Sequence, residues 1–425
     1  MTMNRRQMLA SGLAIGTVSL TAGPLFAQDG GTIKIGFMSP RTGPLAGFGV
    51  TDGYVLDQVR AAVKGGLTIG GKTYAVEILD RDTQSDPGLA GQLAKDLINN
   101  DGIDMMLATS TPEVTNPVAD ACEAAGVPCL STVCPWEAWY FGRGAKPGEP
   151  SPFKWTYHFS FGVDTFKETY LSQWALLETN KKVAVMYPND ADGNAIRRGL
   201  APLLTEGGYT IVDPGPYETG TTDYSTQIAM FRDAGCEIFN TFPIPPDFAA
   251  FWQQAAQQGL HKQFKIVQVA KTGLFPSDIE ALGSLGNNIA SADYWHRDFP
   301  YPSTATGMSS AALADGYEAA TGLQWTQQLG ATMSLFDAGI EALKAASDPK
   351  DKAALAAAYD VLNVVTMVGK VDFTSGPVAH VSVSPILGSQ WVRTDGGKFA
   401  FDTVLTENAT DPNVPVTHKL LPYNA

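Results

Sequence analysis

Three hydroxyl residues stand in a row at Thr109, Ser110 and Thr111, where a short apolar run gives way to Pro112, Glu113 and a helical pattern. That pattern closes at Gly126, and the apolar run after it also ends in hydroxyls, Ser131 and Thr132. Hydroxyls where a strand becomes a helix have two readings. Ser110 with Glu113 fits a capping box, and Thr111 ahead of Pro112 fits a cap with proline in the first helical position. A cap explains one hydroxyl, not three in a row. The other reading is a bound anion. A helix N-terminus carries unpaired N–H groups and partial positive charge, so a small carboxylate suits it. Just beyond, Trp136, Trp139, Tyr140 and Phe141 lie in a loop rich in glycine and proline at 135–156. Such a stripe belongs to a core or to a binding wall, and its place near a strand end makes Trp136 a candidate for the wall.

Other reactive residues are dispersed. The sequence holds no G-x-S-x-G elbow, H-E-x-x-H, Walker A or G-x-G-x-x-G motif. Its five histidines, His158, His261, His296, His380 and His418, are scattered. Asp80 and Asp82 could hold a metal, but Asp82 reads better as a turn or cap. No cofactor is implied. Three of the four cysteines, Cys122, Cys129 and Cys134, sit close together, and Cys236 stands apart. Cys122 late in a helix and Cys129 on the next strand could form a disulfide across a tight turn. Four cysteines allow three pairings, and buried thiols are the alternative.

The elements that position these residues alternate. Strands are expected at 32–40, 72–82, 181–190, 209–217, 237–243 and 264–270, with helices at 50–66, 193–208, 223–236 and 246–260 between them. Asp86-Pro87 supplies a cap and a first-turn proline for another helix, marked by Leu89, Leu93 and Leu97. A third section adds helices at 309–322, 327–346 and 350–362, then strands in "GKVDFTS" and "SQWVRTD". Alternation of this kind implies parallel sheets wound on both faces, and two series of it imply two doubly wound α/β lobes. In such sheets ligands bind outside the carboxyl ends of the strands, which puts both hydroxyl groups on one rim.

At 425 residues the chain is long enough for two domains, and 44% hydrophobic with 17% charged residues is a globular composition. A formal charge of -14 argues against nucleic acid or an anionic membrane as partner. Residues 1–27 read as a secretory signal cut after Ala27, with Arg5-Arg6 and Gln7-Met8-Leu9 suggesting the twin-arginine type. Export to the periplasm as a soluble protein is the expectation.

The segment "IKIGFMSPRTGPLAGFG" (33–49) resembles the opening of the leucine/isoleucine/valine-binding protein family. "ILDRDTQSDPGLAGQLAKDLINNDGIDMML" (78–107) is similar to that family's second strand and following helix. The likeness runs from about Thr32 to about Thr394 and is stronger in the first lobe. It implies a type I periplasmic receptor for an ABC importer, two lobes joined by three hinge crossings that close over a small solute, with an inner-membrane permease as partner. The crossings are expected near 156, 291 and 371, giving one lobe from 28–156 and 292–371 and another from 157–291 and 372–425. By position the resemblance assigns Phe48 as the turn aromatic, Thr109 and Ser110 with Thr111 as carboxylate ligands, and Ser131, Thr132 and Trp136 beside them. In the second lobe it brings in Asp192. Amino-acid receptors of the family neutralise the ligand ammonium with an acid after the strand "FKIVQV"; here Gln268 stands there, with Lys271 three residues on. Either Asp192 substitutes, or the ligand lacks an ammonium and Lys271 holds a second anionic group, or Lys271 is a surface lysine. A ligand sensor of the same fold and an exported hydrolase are the rival functions.

Overall fold

The computed structural model describes residues 29–423, so the signal segment lies outside the described residues. Six strands open the chain: β1 (Thr32–Ser39), β2 (Leu67–Ile69), β3 (Lys72–Asp82), β4 (Met105–Thr109), β5 (Cys129–Thr132) and β6 (Thr156–Ser160). Five follow: β7 (Lys182–Met186), β8 (Thr210–Val212), β9 (Ile238–Thr241), β10 (Ile266–Val269) and β11 (Ala290–Asp293). The last five are β12 (Asn363–Thr366), β13 (Gly369–Asp372), β14 (Val381–Val383), β15 (Leu387–Arg393) and β16 (Phe401–Leu405). They build two seven-stranded sheets, ordered β14-β6-β5-β4-β1-β3-β2 and β16-β15-β11-β10-β9-β7-β8, while β12 and β13 form a separate hairpin.

The central strands are parallel in both sheets, and antiparallel pairing is confined to the edges, at β2 with β3 and along β11-β15-β16. Burial explains this. Every residue of β4, β5, β9 and β10 is buried, as expected of strands covered by helices on both faces. The covering helices begin and stop on local signals. Pro87–Asp96 starts with the Asp86 carboxylate accepting from Leu89 N at 2.8 Å. Pro112–Ala125 starts on proline and ends at Gly126, whose φ of 67° is the left-handed geometry that glycine tolerates.

The chain passes between the sheets three times. The first passage lies between β6 and the helix Val163–Trp174, and the second follows β11. The third lies between β14 and β15, at 384–386, and not at 371, because β13 pairs only within its hairpin while β14 still belongs to the first sheet beside β6. The expected division at 156 and 291 likewise sits a few residues early, since β6 and β11 each finish their own sheet before the chain leaves it.

Of the two readings of the cysteines, the structure shows the buried thiols: no Cys122–Cys129 disulfide is formed, and all four are free. Cys122 and Cys129 are neighbours, yet burial, and then the adjoining thiol, push the Cys122 pKa up and disfavour the thiolate that disulfide exchange requires.

Candidate functional site

Between the lobes lies a partly enclosed cavity with about 480 Å³ of empty space, some of it open to solvent. The first lobe supplies Phe48, Thr111 and the turn Val133–Pro135. The second supplies Phe166, Asp192, Phe242 and the turn Ala270–Lys271 with Leu274. The hinge passages add Phe161, Tyr294 and Ile386. The walls are therefore mostly apolar, with a few polar groups that converge, as in small-molecule sites generally.

The polar groups stand at strand ends. Thr111 occupies the N-cap position of Pro112–Ala125 but makes no side-chain cap bond, and the buried Ser110 Oγ and Thr111 Oγ1 have no partner. Helix capping therefore does not use these hydroxyls. Opposite them, the helix Ala191–Glu206 begins with Asp190 as its cap, accepting from Gly193 N at 2.6 Å, and Asp192 in its first turn. The two helices touch across the cleft. Lys271 Nζ sits 2.8 Å from Asp192 Oδ2 and 3.3 Å from Asp190 Oδ2, while Asp192 Oδ1 is buried without a partner. Burial works against the Lys271 ammonium, but Asp192, Asp190 and Glu113 outweigh it, and its pKa is raised above the usual lysine value. Burial raises Asp192 to about 7, with Lys271 pulling the other way. Three residues just past strand ends, Ser110, Val133 and Lys271, carry positive φ angles of 129°, 86° and 51°. L residues rarely adopt such angles, and they recur where a backbone clamps a ligand.

The structure brings together Phe48, Thr111, Asp192 and Lys271, with Ser110 adjoining. Phe48 also meets Phe275 of the other lobe edge-on, ring centroids 5.1 Å apart. Thr109 ends β4, buried, outside the lining. Lys271 is no surface residue, since its side chain is 9% exposed. Four candidates lie elsewhere. Ser131 Oγ donates to His158 Nδ1 at 2.8 Å, and Thr132 Oγ1 donates to Phe159 O at 2.7 Å, because β5 runs inside the sheet and its hydroxyls are taken by β6. Trp136 opens a short helix and packs on Tyr140 and Phe141 instead of the cavity. Gln268 lies within β10, where its Oε1 accepts from Trp174 Nε1 at 3.1 Å.

The expectations did not include Phe161, Phe166, Phe242, Tyr294 and Ile386. A signal was available for three of them. Phe161, Phe242 and Tyr294 are each the first residue after a strand's carboxyl end, the place the open-sheet rule assigns to ligands.

The fold also creates a serine–histidine contact that spacing did not reveal. His158 Nε2 lies 2.9 Å from Cys134 O, and a carbonyl only accepts, so Nε2 carries the proton and Nδ1 accepts from Ser131. The ring is stacked 5.0 Å from Trp139, and burial lowers its pKa to about 3. Ser131 is wholly buried and outside the cavity lining, so this pair ties β5 to β6. Asp80 is held by Arg41 and Arg60, and Asp82 by the turn at Arg41 and Thr42. Among the described residues, no helix is long and apolar enough to cross a membrane.

Known proteins share this architecture. The Leu/Ile/Val-binding protein homolog 3 of Brucella melitensis is 22% identical over 359 residues, covering 80% of this chain and 87% of its own length. The branched-chain amino acid transporter substrate binding protein of Streptococcus pneumoniae, solved with isoleucine, superposes with a TM-score of 0.67 at 18% identity, covering 88% of this chain and 99% of that one. A solute binding protein of an ABC transporter from Rhodopseudomonas palustris, solved with p-hydroxybenzoic acid, gives 0.70 at 19% identity, covering 92% and 98%. These likenesses agree with two α/β lobes and an interlobe cavity, and the family model described as periplasmic binding protein matches residues 32–397. The likeness to leucine/isoleucine/valine-binding proteins read from the first lobe is thus borne out, and the chain belongs to the periplasmic binding protein family.

Proposed function

We propose that this protein captures an α-amino acid with a bulky apolar side chain in the periplasm and delivers it to an inner-membrane ABC permease. The observation that carries the choice of ligand is a pair of unsatisfied poles on one cavity. Ser110 and Thr111, at a helix N-terminus, offer donors for a carboxylate, and Asp192 Oδ1 offers an acceptor for an ammonium. A buried polar atom without a partner costs stability, so a ligand that satisfies both poles gains what the empty site lacks. The two helices meet across the cleft, so the poles suit groups carried on one carbon. Phe48, Phe161, Phe166, Phe242 and Tyr294 suit an apolar body.

A second reading has its own support. The same aromatic walls suit a benzoate-like acid, and one of the solved relatives holds p-hydroxybenzoic acid. A thermal-shift screen of the purified protein separates the two. Its compounds are leucine, isoleucine, phenylalanine, their deaminated acids, and hydroxybenzoates. A ligand at a hundred times its dissociation constant adds about 2.7 kcal/mol of stability. A much larger shift with the amino acids than with their deaminated forms is expected; a shift with hydroxybenzoates alone would transfer the assignment to aromatic acids.

A further inference from the structure

We propose that Lys271 is a positioning residue that sets specificity: it grips one oxygen of Asp192 so that the other, still ionised, faces the ammonium of an amino-acid ligand. This rests on the amino-acid reading above. Lys271 follows β10 with φ at 51°, a conformation an L residue keeps only when its surroundings impose it. The turn carries the side chain into the cavity, where Nζ meets Asp192 Oδ2 at 2.8 Å and Asp190 Oδ2 at 3.3 Å. Asp190 is itself fixed, because its other oxygen caps the helix Ala191–Glu206. The ammonium is thus anchored to an immobile acid and orients a second one. Asp192 Oδ1 is left buried and unpartnered on the cavity.

Charge balance argues against Lys271 as the anchor for a ligand anion. Two carboxylates already contact it, and Glu113 adds a third negative charge from the first lobe. The groups that face Asp192 are Lys271 after β10, Asp190 on its own helix, Glu113 on the helix opposite, and the Cys134 thiol after β5. Only Lys271 among them favours the ionised carboxylate. Without it, a carboxyl in this apolar cavity takes up a proton and no longer pairs with an ammonium.

The test measures binding of L-leucine and of its deaminated counterpart, 4-methylpentanoate, to wild type, K271M and K271R between pH 5 and 9. K271M is expected to lose about 10- to 100-fold in affinity for L-leucine, the size of one charge-assisted hydrogen bond, with little change for 4-methylpentanoate. The onset of L-leucine binding should also move to higher pH, and K271R should restore most of the loss. An equal loss for both compounds, or no loss, overturns the proposal. If wild type binds neither, or only the acid, the amino-acid reading fails alone, and unfolding without ligand decides the role of Lys271. The stability gap between wild type and K271M should then widen as pH rises through 7, where Asp192 ionises, and the gap should lose its pH dependence in a D192N background. A gap independent of pH overturns the inference.

Discussion

Asp192 gives one oxygen to a lysine and leaves the other buried without a partner, and its environment makes it titrate where proteins work. Burial, the larger effect, holds its pKa at about 7 against the pull of Lys271. The sign follows. As pH falls through 7 the carboxylate gains a proton and ceases to accept from an ammonium, so affinity for an amino acid should weaken from pH 8 to pH 5. D192N should lower that affinity about 10- to 100-fold at pH 8 and flatten the pH profile. Calorimetric titration across the range checks both, and a D192N protein with the wild-type profile would place the titrating group elsewhere. At this scale the sequence was a partial guide. It marked Phe48, Thr111, Asp192 and Lys271, all of which line the cavity. Ser131, Thr132 and Gln268 were chosen with the same logic and lie within strands. The difference is one of position along the strand. A hydroxyl or amide still inside a parallel strand is spent on the sheet, whereas the residue just beyond it is released to the cleft. Composition and spacing do not locate that last paired residue.

Helices and strands were more legible, because their ends carry chemistry of their own. Asp86-Pro87 was read as a cap with first-turn proline, and the Asp86 carboxylate does accept from Leu89 N. D86A should therefore cost about 1 kcal/mol in a denaturant melt. The helix lies away from the cavity, so ligand affinity should stay unchanged; a loss of affinity would mean that this helix helps to set the cleft. Periodicity did not reveal the short edge strands β2, β14 and β16, since three to five residues hold too little of it. Nor did it reveal β6 and Val163–Trp174, which lie between the loop at 135–156 and the strand at 181–190, where no element was assigned. That omission put the first hinge passage a few residues early. The chain leaves the first lobe through this segment, so its aromatics face the cleft as well as the core.

On the scale of the whole molecule, the cavity and the hinge are one structure. Phe161, Tyr294 and Ile386 come from the three passages between lobes, and all three line the cavity. Phe161 stacks on Tyr294 with centroids 5.6 Å apart, and Gln328 Nε2 donates to the Tyr294 hydroxyl at 2.7 Å. The passages between the lobes therefore form part of the cavity wall. At the far wall, the lobes meet through the edge-on contact of Phe48 with Phe275. This contact joins the two lobes, so it favours the arrangement in which they are together. Such an aromatic pair is worth about 0.5–1.5 kcal/mol beyond its buried area. Removing it shifts the balance toward the open form. F275A should then release ligand about 2- to 12-fold faster, by the same energy, while the association rate stays near wild type. Stopped-flow binding measures both rates. A slower association with unchanged release would mean that Phe275 guides entry, and closure would have to be held by the hinge alone.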